Sequence, residues 1–198
     1  MSYIDAINEI VNFLAKLPEH IDREQVERLI QMLIIAKARG RKVLVVGAGR
    51  SGLVGRAFAL RLMHMGFQTY VYGETIVPAI GSGDLVIAIS GSGTTASVVL
   101  AAEAAKKVGA KVIAITSHPD SPLGRLADHV VVVPGRTKIA KEADYYARQI
   151  LGEHEPLTPL GTLFEIATLV FLDGVVADLM RRLEITEEEL RRRHANIE

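Results

Sequence analysis

The stretch Leu85-Val-Ile-Ala-Ile-Ser-Gly-Ser-Gly-Thr-Thr95 joins an unbroken apolar run to a turn of serine, glycine and threonine. The apolar run, residues 85–89, predicts a strand that is buried on both faces, as in a parallel sheet. Residues 96–108 are rich in alanine and valine and predict a helix directly after the turn. A strand, a turn and a helix start in this order aim backbone N–H groups at one point, which favours an anion.

The turn after this strand contains six candidate ligand-binding residues: Ser90, Gly91, Ser92, Gly93, Thr94 and Thr95. Its glycines allow the backbone to approach a phosphate, and its hydroxyls can donate to phosphate oxygens. No lysine follows, so the turn differs from the loop that binds a nucleotide triphosphate with magnesium. The alternative is an ordinary turn with serine and threonine caps. Four hydroxyls exceed the need of one cap, so we predict a site for a phosphate monoester.

The composition limits the classes of partner and the compartment. Basic and acidic residues number 23 each among 198, which disfavours nucleic acid or an anionic membrane as the main partner. The absence of cysteine excludes disulfides and thiolate metal sites and, with no signal-like start, predicts a cytoplasmic protein. We expect one domain, with N-terminal helices over 1–40, an α/β core over 41–183 and a C-terminal helix and tail over 184–198.

Five short apolar segments alternate with helical segments, which predicts an α/β fold with an open parallel sheet covered on both faces. The predicted strands are residues 43–46, 68–72, 85–89, 111–115 and 129–133. Ligands of such sheets bind beyond the carboxyl ends of the strands, near the point where the strand order reverses. We also expect Pro18 to end the first helix, and the long polar connection 134–158 to be a lid or a mobile segment.

A second glycine-rich turn follows the first predicted strand and permits two interpretations. Gly47-x-Gly49-x-x-Gly52 matches the dinucleotide fingerprint, and Glu74 lies near the place of a ribose-binding acid. A protein that binds NAD is therefore one hypothesis. Arg50 argues against it, because the pyrophosphate turn usually carries small residues. Two such turns at neighbouring strand ends are better suited to one compact phosphorylated ligand.

The two turns, Gly47-Ala-Gly-Arg-Ser-Gly52 and Ile89-Ser-Gly-Ser-Gly-Thr-Thr95, resemble those of the sugar isomerase (SIS) domain family. Four further segments are similar to the 6-phospho-3-hexuloisomerases of that family: 61–67, 73–75, 159–165 and 193–196. The resemblance implies a three-layer sandwich with a five-stranded, flavodoxin-like parallel sheet, assembled as a homotetramer (a dimer of dimers). It implies an enzyme without metal or organic cofactor that interconverts D-arabino-hex-3-ulose 6-phosphate and D-fructose 6-phosphate through an enediol.

That reaction needs a base that takes the C2 proton and returns one to C3, and a second group for the hydroxyl proton or the enediolate oxygen. Glu165 is the candidate base. The alternative is that Thr162-x-x-Glu165 is a capping box, in which the glutamate only accepts from a backbone N–H. A helix start at Thr158-Pro159 would leave Glu165 inside the helix without that role. The residues alone leave both starts open, and the resemblance identifies Glu165 as the proton acceptor.

The other candidate site residues each have a structural alternative. His64 is either a proton shuttle or a residue that compensates the dipole of its helix. His194 is either part of a solvated tail or, as the resemblance implies, a residue that enters a neighbouring subunit's site. Glu74 either binds sugar hydroxyls or is a surface charge, and Arg50 either binds substrate or bridges carboxylates. The assigned substrate-binding residues of the first turn are Gly49, Arg50 and Ser51.

The six histidines show no spacing typical of metal ligands, so the sequence predicts no metal site. A phosphosugar sensor that binds the ligand without turnover is a second functional hypothesis, because regulators also use this domain.

Overall fold

The computed structural model describes residues 2–135 and 158–196 of the chain. Within this part the elements are α1 (Tyr3–His20), α2 (Arg23–Ala38), β1 (Lys42–Gly47), α3 (Gly49–His64), β2 (Gln68–Val71), β3 (Leu85–Ile89), α4 (Ala96–Lys107), β4 (Lys111–Thr116), α5 (Pro122–Leu126), β5 (His129–Val132), α6 (Thr162–Arg182) and α7 (Glu187–Arg192). Residues 136–157, most of the predicted lid, lie outside the described residues. None of the described helices is both long enough and apolar enough to cross a membrane.

The strands form a sheet in the order β2-β1-β3-β4-β5, with every neighbouring pair parallel. The predicted five-stranded parallel sheet is therefore confirmed. The strand order reverses at β1, because the chain adds β2 on one side of β1 and then returns to add β3 on the other. Gly47 and Ile89, the last residues of β1 and β3, are register partners. The two glycine-rich turns consequently start side by side, at the point where this fold places ligands.

Two apolar clusters cover the two faces of the sheet, because successive side chains of a strand point in opposite directions. In β1, Val43 and Val45 pack with residues of α2, α3 and α6, whereas Leu44 and Val46 pack with residues of α4 and α5. All five residues of β3 are buried. A strand that contributes to both clusters has no polar face, which explains the unbroken apolar run from which the fold was predicted.

Side chains cap the starts of α2 and α7, and the predicted end of the first helix is wrong. Asp22 caps α2, since its Oδ1 accepts from the backbone N–H groups of Glu24 at 2.7 Å and Gln25 at 3.1 Å. Thr186 caps α7. Pro18 does not end α1, which continues to His20. A proline in the last turn removes one backbone hydrogen bond, and the neighbouring Leu17 is buried in the core and holds this turn against it.

Candidate functional site

A cavity of about 320 Å³ lies at the carboxyl ends of β1 and β3, between the two turns and the start of α6. It brings together most of the residues predicted from the sequence. The predicted site residues that line it are Gly49, Arg50, Ser51, Ser90, Gly91, Ser92, Thr95 and Glu165. The cavity therefore combines a helix start, hydroxyls, one guanidinium and one carboxylate, a set that suits a small phosphorylated ligand.

The glycines of the first turn are required by the turn itself. A Cβ on Gly47 would lie 2.9 Å from the backbone N of Gly52, and a Cβ on Gly52 would lie 3.0 Å from the carbonyl O of Gly47. Gly49 begins α3 with a φ of +55°, a conformation that favours glycine. The spacing that matches the dinucleotide fingerprint thus follows from the tight passage between β1 and α3. It does not require a dinucleotide.

In the second turn, internal hydrogen bonds occupy part of the hydroxyl set. Ser90 is buried; its Oγ accepts from the N–H of Gly93 at 3.2 Å and lies 3.0 Å from Oγ1 of Thr95. Ser92 Oγ accepts from both the N–H and the hydroxyl of Thr94, at 3.3 Å and 3.0 Å. A hydroxyl that accepts still has its own hydrogen to donate. Ser92, which lines the cavity, is therefore the hydroxyl of this turn best placed to donate to a ligand.

Close packing fixes the second turn against neighbouring elements. A Cβ on Gly91 would lie 2.8 Å from the ring of the buried Phe164 of α6. A Cβ on Gly93, whose φ is +63°, would lie 1.9 Å from Oγ of Ser121. The turn can approach α6 and the start of α5 this closely only with glycine at both positions. Its position relative to Glu165, which follows Phe164, is therefore set by packing.

Both predicted starts of the last long helix are wrong. Helix α6 begins at Thr162, and its N-cap is Gly161, with a φ of +94°. Neither Thr162 nor Thr158 is the cap, because the chain forms a turn in which the N–H of Thr162 donates to the carbonyl of Pro159 at 3.1 Å. Glu165 lies in the first turn of α6, and the described structure shows no bond from its carboxylate to a backbone N–H of a capping box.

The Glu165 carboxylate faces the cavity and pairs with the guanidinium of Arg50, through Nε and Oε2. The two residues lie 115 positions apart in sequence. The side chain of Glu165 is 14% exposed and that of Arg50 is 62% exposed. The pair therefore joins a largely enclosed carboxylate on α6 to a solvent-facing arginine on α3. Arg50 contacts a carboxylate, and its role in substrate binding stays a prediction.

His64 and His194 lie together, at the other end of α3. Their rings stack with centroids 4.5 Å apart and planes at 30°. His64 ends α3 and is buried, and this burial lowers its pKa, with His194 and Arg61 adding to the effect. Fourteen residues separate Arg50 from His64 along α3, which corresponds to roughly 21 Å at ~1.5 Å per residue. Within one chain the histidines and the cavity are therefore apart.

The remaining predicted site residues lie outside the cavity lining. Glu74 pairs with Arg56 of α3, and both side chains are about half exposed. Gly93 packs against Ser121, and Thr94 is exposed to solvent. The described residues contain no group of three or more histidine, aspartate or glutamate side chains that could hold a metal ion.

Gly161 and Phe164 also line the cavity, although neither was predicted as a site residue. Gly161 could have been found because it directly precedes the apolar helix, a position at which glycine is typical of a helix cap or a turn. Nothing in the sequence distinguishes Phe164 from the other apolar residues of α6.

Comparisons with known proteins agree with this geometry. Residues 34–149 match the family described as the SIS domain. The 3-hexulose-6-phosphate isomerase of Mycobacterium gastri is 43% identical over 191 residues, covering 96% of this chain and 87% of that protein. The Bacillus subtilis protein of the same name is 35% identical and covers both chains fully. A crystal structure from Methanococcus jannaschii, described as inferring a function of 3-hexulose-6-phosphate isomerase, matches with a TM-score of 0.76 at 35% identity over all of both chains.

Proposed function

Because this chain belongs to the SIS domain family, we propose that it interconverts D-arabino-hex-3-ulose 6-phosphate and D-fructose 6-phosphate through an enediol. One observation carries the proposal: a carboxylate on the first turn of α6 and two phosphate-compatible turns line the same cavity. Such a cavity can hold a sugar by its phosphate and present its carbon chain to one base.

The second turn and the start of α4 bind the phosphate in this proposal. Ser92 has a hydroxyl hydrogen to donate, and the N–H groups that begin α4 after Thr95 add the positive end of the helix dipole. The first turn, with Gly49 and Ser51, closes the opposite side of the cavity. Both turns start at register partners of the sheet, so one compact ligand can contact both.

Glu165 moves the protons. Its carboxylate takes the proton from C2 of the ketose and delivers one to C3 on the same face, which converts the C3 ketone into the C2 ketone through the enediol. The carboxylate is largely enclosed, which limits exchange of the transferred proton with water. The hydroxyl proton needs a second group, and we assign this role to a histidine of a neighbouring subunit.

We further propose a homotetramer in which His64 and His194 of one subunit act in the cavity of a neighbour. Roughly 21 Å of α3 separates these histidines from their own cavity, so they can reach substrate only across an interface. Exposed apolar side chains support an interface: on α1 they are Tyr3, Ile4, Ile7 and Val11, and on α3 they are Leu53, Leu60 and Met63. A cytoplasmic location is part of the proposal and rests on the chain's lack of cysteine.

The test of the function is an assay in which the purified protein is given the hexulose phosphate and the formation of D-fructose 6-phosphate is followed. We expect turnover without added nucleotide. Binding of the sugar phosphate without turnover would instead identify a phosphosugar sensor. A fluorescence change of NADH on mixing would support the dinucleotide hypothesis.

A further inference from the structure

We propose that Arg50 is a positioning residue that exchanges partners, leaving the Glu165 carboxylate for the substrate phosphate, so that phosphate binding frees the base. This inference deepens the proposed function and rests on it. It assigns the recognition of a phosphorylated substrate, as opposed to a neutral sugar, to one movable side chain.

The contact between Arg50 and Glu165 uses only one nitrogen of the guanidinium. Arg50 contacts Glu165 through Nε, and among the described residues its side chain makes no other hydrogen bond. The two terminal nitrogens of the guanidinium, which form the fork that binds oxyanions, are not engaged by that contact. Among the described residues, the contact with Glu165 therefore leaves the two terminal nitrogens available to an oxyanion.

The side chains of Arg50 and Glu165 differ in their freedom to move. The Glu165 side chain is 14% exposed and stands on a helix turn fixed by Gly161 and Phe164, whereas the Arg50 side chain is 62% exposed. A long, solvent-facing arginine can change its rotamer at little cost, but the enclosed carboxylate cannot. On ligand binding the arginine should leave and the carboxylate should stay.

The charge at the start of α3 also favours an anion beside Arg50. Arg50 is the second residue of this helix, and the first turn contains no acidic residue. A cation at a helix N-terminus is unfavourable, because it meets the positive end of the helix dipole. A phosphate held by the second turn faces the start of α3 across the cavity, where it can pair with the guanidinium.

A sugar phosphate is a stronger partner for the guanidinium than the Glu165 carboxylate. A sugar phosphate carries about −1.5 to −2 charges and can accept two parallel N–H bonds from the guanidinium fork. The carboxylate carries one charge and accepts from one nitrogen in this structure. A phosphate that reaches the cavity therefore competes successfully for Arg50.

The exchange has a consequence for specificity. Arg50 pairs with Oε2 of the Glu165 carboxylate. A sugar without phosphate would leave this ion pair in place, and a carboxylate paired with a guanidinium is a weaker base toward the C2 proton. Discrimination would then appear in kcat as well as in KM.

The test measures the affinity of inorganic phosphate, and separately of D-fructose 6-phosphate, by calorimetry in a set of full-length variants. Glu165→Gln keeps the shape of the side chain and removes the charge that holds Arg50. We expect phosphate to bind about fivefold more tightly to this variant, the strength of one partly exposed ion pair. Glu188→Gln is the matched control, because it removes the same charge and frees Arg192 on α7; phosphate affinity should stay within about twofold.

Removal of a negative charge can by itself improve anion binding, so the set includes Arg50→Gln and the double variant. In the Arg50→Gln background, Glu165→Gln should improve phosphate binding by less than about twofold. The difference from the improvement of about fivefold expected with Arg50 present measures the contribution of the exchange, separately from the effect of removing a negative charge. Thermal unfolding of each variant checks that it is folded, and substitution of the exposed Arg50 should leave the fold intact. Arg50→Lys is a second variant, which keeps the positive charge but lacks the two parallel N–H donors of the guanidinium.

Unchanged or weaker phosphate binding in Glu165→Gln would overturn the exchange, as would a gain that persists in the double variant. These outcomes are independent of turnover. If the wild-type protein fails to isomerise the hexulose phosphate but the gain requires Arg50, then the proposed function is wrong and the exchange stands. If turnover is found and the gain is absent, then the function stands and the exchange is wrong.

Discussion

At the scale of single residues, the account depends on where the carboxylate of Glu165 is held. Gly161 supports it: the φ of Gly161 is +94°, and a Cβ there would lie 3.2 Å from Oε1 of Glu165. The glycine therefore serves two purposes, a left-handed helix cap and free space beside the base. A side chain at this position would disturb both.

We predict that Gly161→Ala lowers the free energy of unfolding by about 1–2 kcal/mol, because alanine is strained at this φ. It should also lower kcat, since the added methyl displaces the carboxylate. Gly174→Ala is the matched control: it lies in the same helix, has open space for a Cβ and should stabilise by about 0.5–1 kcal/mol. Denaturant unfolding and steady-state kinetics on both variants check this, and equal behaviour of the two would contradict it.

His64 leads to a prediction about pH. The pKa of His64 is lowered from its ordinary value of 6.5, mainly by burial and also by His194 and Arg61. The unfolded chain therefore binds this proton more readily than the folded one, and stability rises with pH through the window below 6.5. Further cations lie near the end of α3: Arg193 donates to the His64 carbonyl at 3.1 Å, and Lys37 and Arg193 both lie near Gly66.

We expect the protein to be less stable at about pH 5 than at about pH 8, with His64 contributing to the loss. In His64→Gln this part of the pH dependence should disappear. Urea unfolding at both pH values measures the difference. A wild-type protein that is equally stable at the two values, or a variant with an unchanged slope, would show that the burial of His64 has no energetic consequence.

At the scale of elements, the strands were predictable and the start of α6 was not. Predicted strand 85–89 matches β3 because a strand buried on both faces needs an unbroken apolar run, which few other structures need. The start of α6 is different: Thr158, Pro159, Gly161 and Thr162 are all acceptable near a helix N-terminus. The choice of Gly161 depends on tertiary contacts, the packing of Phe164 under Gly91 and the pairing of Glu165 with Arg50, and local sequence does not contain them.

The packing of the second turn on α6 gives a prediction at this scale. Gly91→Ala places a methyl 2.8 Å from the buried ring of Phe164, so the turn and the helix must separate. We expect a loss of about 1–3 kcal/mol in stability and a higher KM, since the phosphate turn shifts relative to Glu165. Gly81→Ala, where a Cβ meets nothing within 4 Å, is the control. An unchanged KM in Gly91→Ala would place the phosphate away from this turn.

At the scale of the whole molecule, the sheet order explains why residues 50, 92 and 165 meet. Reversal of the strand order beside β1 places two turns next to each other, and α6 packs on the same end of the sheet. The fold class and the two turns could be predicted from sequence, because glycine and hydroxyl residues at strand ends are local signals. The stacking of His194 on His64 could not, because it depends on how α7 returns to α3. The division of the chain at residues 40 and 183 stays a prediction.

The proposed shared site predicts complementation between inactive subunits. Glu165→Gln and His64→Gln should each have little activity alone. When they are unfolded together and refolded, mixed assemblies contain sites with both native groups, and about a quarter of wild-type activity should return. Recovery is measured with each variant refolded alone as the control. No recovery, with mixed assemblies demonstrated, would show that His64 does not act across subunits.

The role of Glu165 as the base is best tested by the steady-state kinetics of Glu165→Gln with the hexulose phosphate as substrate. The amide keeps the shape of the side chain but cannot accept the proton from C2, so we predict a fall in kcat of about 10²–10⁴-fold with a KM that is unchanged or lower. A variant that turns over at close to the wild-type rate would contradict the assignment of Glu165 as the base, and with it the proposed mechanism.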